Sequence, residues 1–252
     1  MYPNLLGFED SSYIFMIVIG VIAAIVIALI YMRKIKYNIL DLILCAIGAV
    51  LCGLIFAILF ENLYEAIEHA YSGKPQSFTP AMTFFGGLFG GALGFLLIYF
   101  LYYEKHNEPI IKELLLIAPC CICAAHGIGR LGCFLAGCCY GLPTDAWYGV
   151  QFPGMTGKVI PTQLFEMIFL LLLAIILGIF AFKKVTVYTL PIYMFSYSIF
   201  RFVIEFYRGD ERGQLPGLSP SQYWCLIMFI GAIVLIYFYN KKIFPKVAKN
   251  EI

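Results

Sequence analysis

Between Cys120 and Gly141 the sequence runs CCICAAHGIGRLGCFLAGCCYG, a segment that gathers most of the chain's nine cysteines and one of its three histidines. Thiolate and imidazole donors at that density point to a soft metal such as zinc, and Cys120 with Cys123 forms a CxxC pair suited to thiol redox chemistry. The opposing reading is packing. Zinc sites normally set ligand pairs apart across a loop, whereas these cysteines stand among apolar residues on a helix, where a free thiol behaves as a small buried hydrophobe. His126 and Arg130, four apart, share one face of a regular helix. A neutral imidazole there can take a proton while the guanidinium holds a phosphate; alternatively the histidine bonds a neighbouring helix. Gly127, Gly129, Gly132, Gly137 and Gly141 open the backbone to close approach by a headgroup, or to a break in the helix.

The elements that hold these residues follow from composition. Of 252 residues, 62% are hydrophobic and only 13% charged, and the mean hydropathy is +0.88. An ordinary soluble domain is roughly 45–50% apolar and about 25% charged, so a disordered chain and a freely soluble globule are both excluded. A bilayer core of about 30 Å needs roughly 20 apolar residues. Seven segments qualify: Tyr13 to Met32, Ile39 to Phe60, Met82 to Tyr103, Leu114 to Ile128, Leu164 to Phe182, Val187 to Phe206 and Tyr223 to Tyr239. The expectation is an all-α membrane protein of seven transmembrane helices, one polytopic domain over residues 1–252. The basic residues Arg33, Lys34 and Lys36, then Lys105 and Lys112, then Lys183 and Lys184, then Lys241, Lys242, Lys246 and Lys249 fall on alternate loops. Cytoplasmic loops carry the basic excess, which places the N-terminus outside and the C-terminus in the cytoplasm. Glu9 and Asp10 before the first span, with its basic cluster after, reverse the order of a signal peptide and mark an uncleaved anchor. The net charge of +2 gives no ground for a nucleic-acid partner.

Lys74, Arg130, Lys158, Arg201, Arg208 and Arg212 remain, on or near the outer side. A lysine there is a solvated loop residue. An arginine at the apolar boundary costs a few kcal/mol and faces a cavity or a partner, which makes Arg130, Arg201 and Arg208 candidate functional residues.

TFFGGLFGG (Thr83 to Gly91), the run Gly129, Arg130, Leu131, Gly132 and Phe134 followed by Gly137 and Gly141, IPTQLFE (Ile160 to Glu166), RFVIEFYRGDERG (Arg201 to Gly213) and Gln222 occur in this order. Together they resemble the motifs of the prolipoprotein diacylglyceryl transferase family of bacterial inner-membrane enzymes. The resemblance implies transfer of the diacylglyceryl group of phosphatidylglycerol to the lipobox cysteine of a prolipoprotein signal peptide, forming a thioether and releasing glycerol phosphate. It implies a multi-pass protein of the bacterial plasma membrane, its active site towards the outer leaflet, with membrane lipid as partner and no cofactor or metal. Arg130 and Arg201 match the family's functional arginines and are expected to clamp the phosphate. Arg201, Glu205 and Arg208 stand at i, i+4 and i+7, so a continuous helix stacks them, with Glu205 orienting both arginines. Arg208, Gln163, Glu166, Tyr13 and the glycines Gly86, Gly87, Gly132, Gly137 and Gly141 are the expected substrate-binding residues.

Two positions depart from the family pattern. Phe85 stands where the third-span motif has a histidine, and Cys133 where the arginine motif continues with asparagine. A phenylalanine moves no proton. His126 is one candidate replacement base; the alternatives are that the acceptor thiol ionises without one beside arginines, or that the scaffold serves a different acceptor. The alternatives to lipoprotein modification are a relative transferring a glycerolipid group elsewhere, and a Cys-rich membrane metal or redox protein. Glu61, Glu65 and Glu68 extend the second span as an acidic helix, and Pro143 to Lys158, with Trp147 and Tyr148, reads as an interfacial loop.

Overall fold

A computed structural model describes residues 11–36, 39–72, 83–103, 111–209 and 217–241. Lys74, Lys105, Arg212, Lys242, Lys246 and Lys249, with Glu9 and Asp10, lie outside the described residues. The described residues form seven α-helices: α1 (Ser11–Lys34), α2 (Ile39–Ser72), α3 (Phe84–Ile98), α4 (Ile111–Ala136), α5 (Thr162–Phe182), α6 (Thr189–Glu205) and α7 (Pro220–Asn240). The described residues contain isolated β-bridges but no strand. Six of the helices, all but α6, are long and apolar enough to cross a membrane. On α1, Ile14, Val18, Val21, Ile22 and Ile25 are exposed, the arrangement a helix takes when its surrounding solvent is hydrocarbon.

Two helices differ from the expected spans. α4 runs eight residues past Ile128, because Gly127 and Gly132 are packing surfaces rather than breaks: a Cβ on Gly127 would lie 3.1 Å from Leu171 on α5, and one on Gly132 would lie 2.9 Å from Met16 on α1. α6 has only 17 residues, about 26 Å at helical rise, and ends at Glu205. The acidic stretch from Glu61 does continue α2, as far as Ser72.

The chain divides into two compact units. The first holds α1 as far as Tyr31, α4, α5, α6 and α7 from Cys225. At one end of it the Tyr31 hydroxyl at the end of α1 donates to Glu113 at the start of α4, and Lys184, just past α5, reaches the same carboxylate at 2.7 Å. α4 therefore runs opposite to α1 and α5. Pro119 inside α4 cannot donate to the Leu115 carbonyl; the buried Thr189 hydroxyl covers this turn, 2.9 Å from Leu116 O and 3.4 Å from Leu115 O. Phe169 of α5 and Phe200 of α6 stack at 4.1 Å.

The second unit holds α2, α3 and the start of α7 through Trp224. Glycines four apart bring α3 onto α2: a Cβ on Gly86 would lie 2.7 Å from Phe56 O, on Gly90 2.7 Å from Cys52 O, and on Gly94 2.3 Å from Gly48 O. Such contacts replace hydrophobic driving force with close packing. α7 starts on a capping box. Ser219 Oγ accepts from Gln222 N at 3.3 Å while Ser219 N donates to Gln222 Oε1 at 3.1 Å, with Pro220 at the first helical position.

Candidate active site

In the first unit, at the end away from Lys184, α4, α5 and α6 bring their polar residues together. The buried charged side chains among the described residues are Arg130, Glu166, Arg201, Glu205 and Arg208. Glu166, fully buried in the first turns of α5, is the hub. Its Oε2 lies 3.0 Å from Arg130 Nε on α4; its Oε1 lies 3.9 Å from Arg201 Nε on α6, 3.7 Å from His126 Nε2 on α4, and accepts from the Tyr197 hydroxyl at 2.8 Å. Arg201 also pairs with Glu205 one turn on, at 2.7 Å. The regular helix predicted for His126 and Arg130 does carry both to one carboxylate. With Arg208, three buried guanidinium groups stand against two buried carboxylates, so these side chains keep one surplus positive charge. Buried ion pairs of this kind gain little over apolar packing, but removing one partner costs about 3–5 kcal/mol because the other charge is stranded.

The chain leaves α4 through Gly137, in the left-handed region at φ +75. Cys138 N bonds Cys133 O at 3.1 Å and Gly137 N bonds Phe134 O at 3.2 Å, a Schellman ending that fixes the next two residues. α5 grips that turn: Thr162 Oγ1 donates to Cys139 O at 2.9 Å and Gln163 Nε2 to Cys138 O at 2.5 Å. The sulfurs of Cys133, Cys138 and Cys139 consequently lie within 4.8 Å of one another, all as free thiols. The Cys139 thiol is held well below its ordinary value, first by hydrogen bonds from the Cys133 and Cys138 side chains, then, against burial, by the Arg208 and Arg130 guanidiniums.

Three backbone segments then cross at Gly141. Its N–H bonds Ile160 O at 2.8 Å, Leu142 N bonds Tyr207 O at 2.9 Å, and a Cβ on Gly141 would meet Tyr207 O at 2.6 Å. The crossing corrects one expectation. Arg201, Glu205 and Arg208 do not ride on one continuous helix, because the chain turns at Phe206 and Tyr207 and Arg208 forms a β-bridge with Gly141. Arg208 is nonetheless buried, and its charge acts on the Cys139 thiol.

Of the other expected residues, Gly132 packs on Tyr13, 3.3 Å from its ring, and Tyr13 neighbours Arg130 and the three clustered cysteines. Gly86, Gly87, Phe85 and Gln222 belong to the second unit. There Phe85 is buried and stacks on Trp224 at 6.2 Å, in an aromatic group with Phe60 and Phe89 whose indole N–H donates to the Tyr64 hydroxyl. Gly86 packs on α2 and Gln222 caps α7. Cys120 donates to Ala174 O at 3.2 Å on α5, so the CxxC pair serves helix packing. Sequence reasoning missed Tyr197, on the arginine face of α6, and Tyr193, whose ring stacks on it at 5.9 Å and whose buried hydroxyl has no hydrogen-bond partner among the described residues. Their four-residue spacing ahead of Arg201 was the available signal. Among the described residues, the cluster of three or more metal-type ligands is Cys133, Cys138 and Cys139. The arginine cluster suits an oxyanion; its donors are cationic and repel a metal.

The sequence profile described as prolipoprotein diacylglyceryl transferase matches residues 4–238 of the chain. The chain is 34% identical to the phosphatidylglycerol–prolipoprotein diacylglyceryl transferase of Clostridium tetani, over 96% of this chain and 97% of that one. It is 34% identical to phosphatidylglycerol–prolipoprotein diacylglyceryl transferase 2 of Clostridium perfringens over 94% of each, and 28% identical to the phosphatidylglycerol–prolipoprotein diacylglyceryl transferase of Finegoldia magna over 95% of each.

Proposed function

Because the chain belongs to the prolipoprotein diacylglyceryl transferase family, we propose that it moves the diacylglyceryl group of phosphatidylglycerol onto the lipobox cysteine thiol of a prolipoprotein. The observation that carries this is the buried Arg130–Glu166–Arg201 crossing, which with Glu205 and the buried Arg208 keeps one surplus positive charge to match the single negative charge of a phosphodiester. Arg130 and Arg201 hold the phosphate, with fixed donors aimed where charge grows as the bond breaks. Glu166 and Glu205 position the two guanidiniums, and Gln163 positions the turn beside them. Arg208 and Tyr13 border the headgroup, next to the small residues Gly132, Gly137 and Gly141. Gly86 and Gly87 act through the packing of α3 on α2. The thiol sulfur attacks the glycerol carbon; a C–S bond forms, the C–O bond to phosphate breaks, and the electron pair leaves with glycerol phosphate. His126 relays the thiol proton to that leaving group.

The chain sits in the bacterial plasma membrane as one polytopic domain of seven spans, α6 included, with the N-terminus outside and the C-terminus in the cytoplasm. One feature supports this orientation: Lys183 and Lys184 follow α5, at the end away from the buried arginine cluster. The site then faces the outer leaflet, where phosphatidylglycerol and the signal peptide meet. The test is transfer from phosphatidylglycerol to a lipobox peptide, read as the mass gain of the peptide. Arg130→Ala is expected to abolish it. Lipid consumed without peptide modification points to a different acceptor, and no lipid consumption overturns the proposal.

A further inference from the structure

The thiol chemistry needs a thiolate, and the position where the family's motif has a histidine holds Phe85, sealed against Trp224. The cysteine turn offers another source. Three sulfurs from α4 and the following turn converge within 4.8 Å. Zinc bound to thiolates at about 2.3 Å in a tetrahedron sets sulfurs about 3.8 Å apart, so a closure of an ångström or less brings the three into coordination. The backbone is already fixed for it by the Gly137 turn and by the Thr162 and Gln163 bonds to the Cys138 and Cys139 carbonyls. Cys133 is buried and Cys138 exposed, which leaves one side of the cluster open. Three protein ligands and an open fourth position are the pattern of catalytic rather than structural zinc. Three thiolates on Zn²⁺ carry one net negative charge, and the cations beside Cys139 are Arg208 and Arg130.

We propose that Cys133, Cys138 and Cys139 form a three-thiolate zinc site whose open position takes the acceptor cysteine and presents it as a thiolate to the lipid held by Arg130 and Arg201; this rests on the function proposed above. A thiol that coordinates zinc loses its proton. That proton ends on the departing glycerol phosphate, the new C–S bond replaces the C–O bond, and zinc keeps its charge throughout, so no oxidant or reductant is involved. A fourth thiolate raises the electron density on sulfur and favours its attack on carbon.

The experiment uses the full chain, purified in detergent under argon without chelator. Metal analysis is expected to find stoichiometric zinc that falls to background in Cys133→Ser, Cys138→Ser and Cys139→Ser but stays in Cys120→Ser. Cobalt(II) in place of zinc is expected to give thiolate charge-transfer bands that change when a lipobox peptide is added and do not change with its Cys→Ser counterpart. Chelator is expected to slow transfer roughly tenfold or more, with recovery on adding zinc. Substoichiometric metal with silent cobalt spectra overturns the site, and a disulfide among the three cysteines does the same. Zinc present but indifferent to peptide and chelator overturns its part in transfer. Full transfer by metal-free protein sinks this inference and leaves the proposed function standing; bound zinc in a protein that modifies no peptide overturns both the proposed function and the part of zinc in transfer.

Discussion

The α4–α5 contact and the α2–α3 contact are both made through glycine, yet only the first surrounds charge. Gly127 lets α5 approach α4 and so brings Glu166 to His126 and Arg130. Gly86, Gly90 and Gly94 draw α3 just as closely onto α2, and what they enclose is aromatic: Phe60, Phe85 and Trp224. Small residues on membrane helices set a separation and nothing more. The chemistry comes from which longer side chains that separation forces together.

The sharpest way to break this contrast is Glu166→Gln. It takes the carboxylate from the buried Arg130 guanidinium, while Arg201 keeps Glu205, and transfer is expected to drop below detection with a stability loss of about 3–5 kcal/mol, read by lipobox transfer and thermal unfolding in detergent. Activity within tenfold of the unmodified protein would remove Glu166 as the hub. Gly94→Val should act on stability alone. Its side chain meets Gly48 O at 2.3 Å, overpacking costs about 1–3 kcal/mol, and the rate per folded molecule should hold. Phe85→His puts an imidazole into an apolar ring stack and is expected to lower stability by about 1–3 kcal/mol without raising the transfer rate; a rise would bring the third-span motif back into the chemistry. The smallest effect belongs to Ser219→Ala, which removes one arm of the α7 capping box at about 1 kcal/mol, seen as a lower melting temperature with transfer unchanged.

The helices were legible because long apolar runs have one solution in lipid, and Arg130 and Arg201 because a charge in such a run needs a reason. The extent of α4 was not. Glycine counts as a helix breaker in water, whereas Gly127 and Gly132 are faces for α5 and α1. Arg208 was placed by spacing on a helix that had already ended, since nothing local announces that Tyr207 O pairs with Leu142 N across 65 positions of chain. Glu166 was visible as a residue but not as a hub: its partners come from two other helices, and sequence spacing reports neighbours only along its own. The cysteines were conspicuous as a group, but their division was hidden. Cys120 faces α5, and only the left-handed turn at Gly137 folds Cys138 and Cys139 back towards Cys133.

That turn has a mechanical consequence. Thr162 and Gln163 hold the carbonyls of Cys139 and Cys138, and Glu166 follows Gln163 by less than one turn of the same helix. The thiol turn and the carboxylate hub are thus fastened to one face of the same helix, three to four residues apart. A substitution that shifts the first turn of α5 therefore displaces the cysteine carbonyls and the carboxylate between the arginines together.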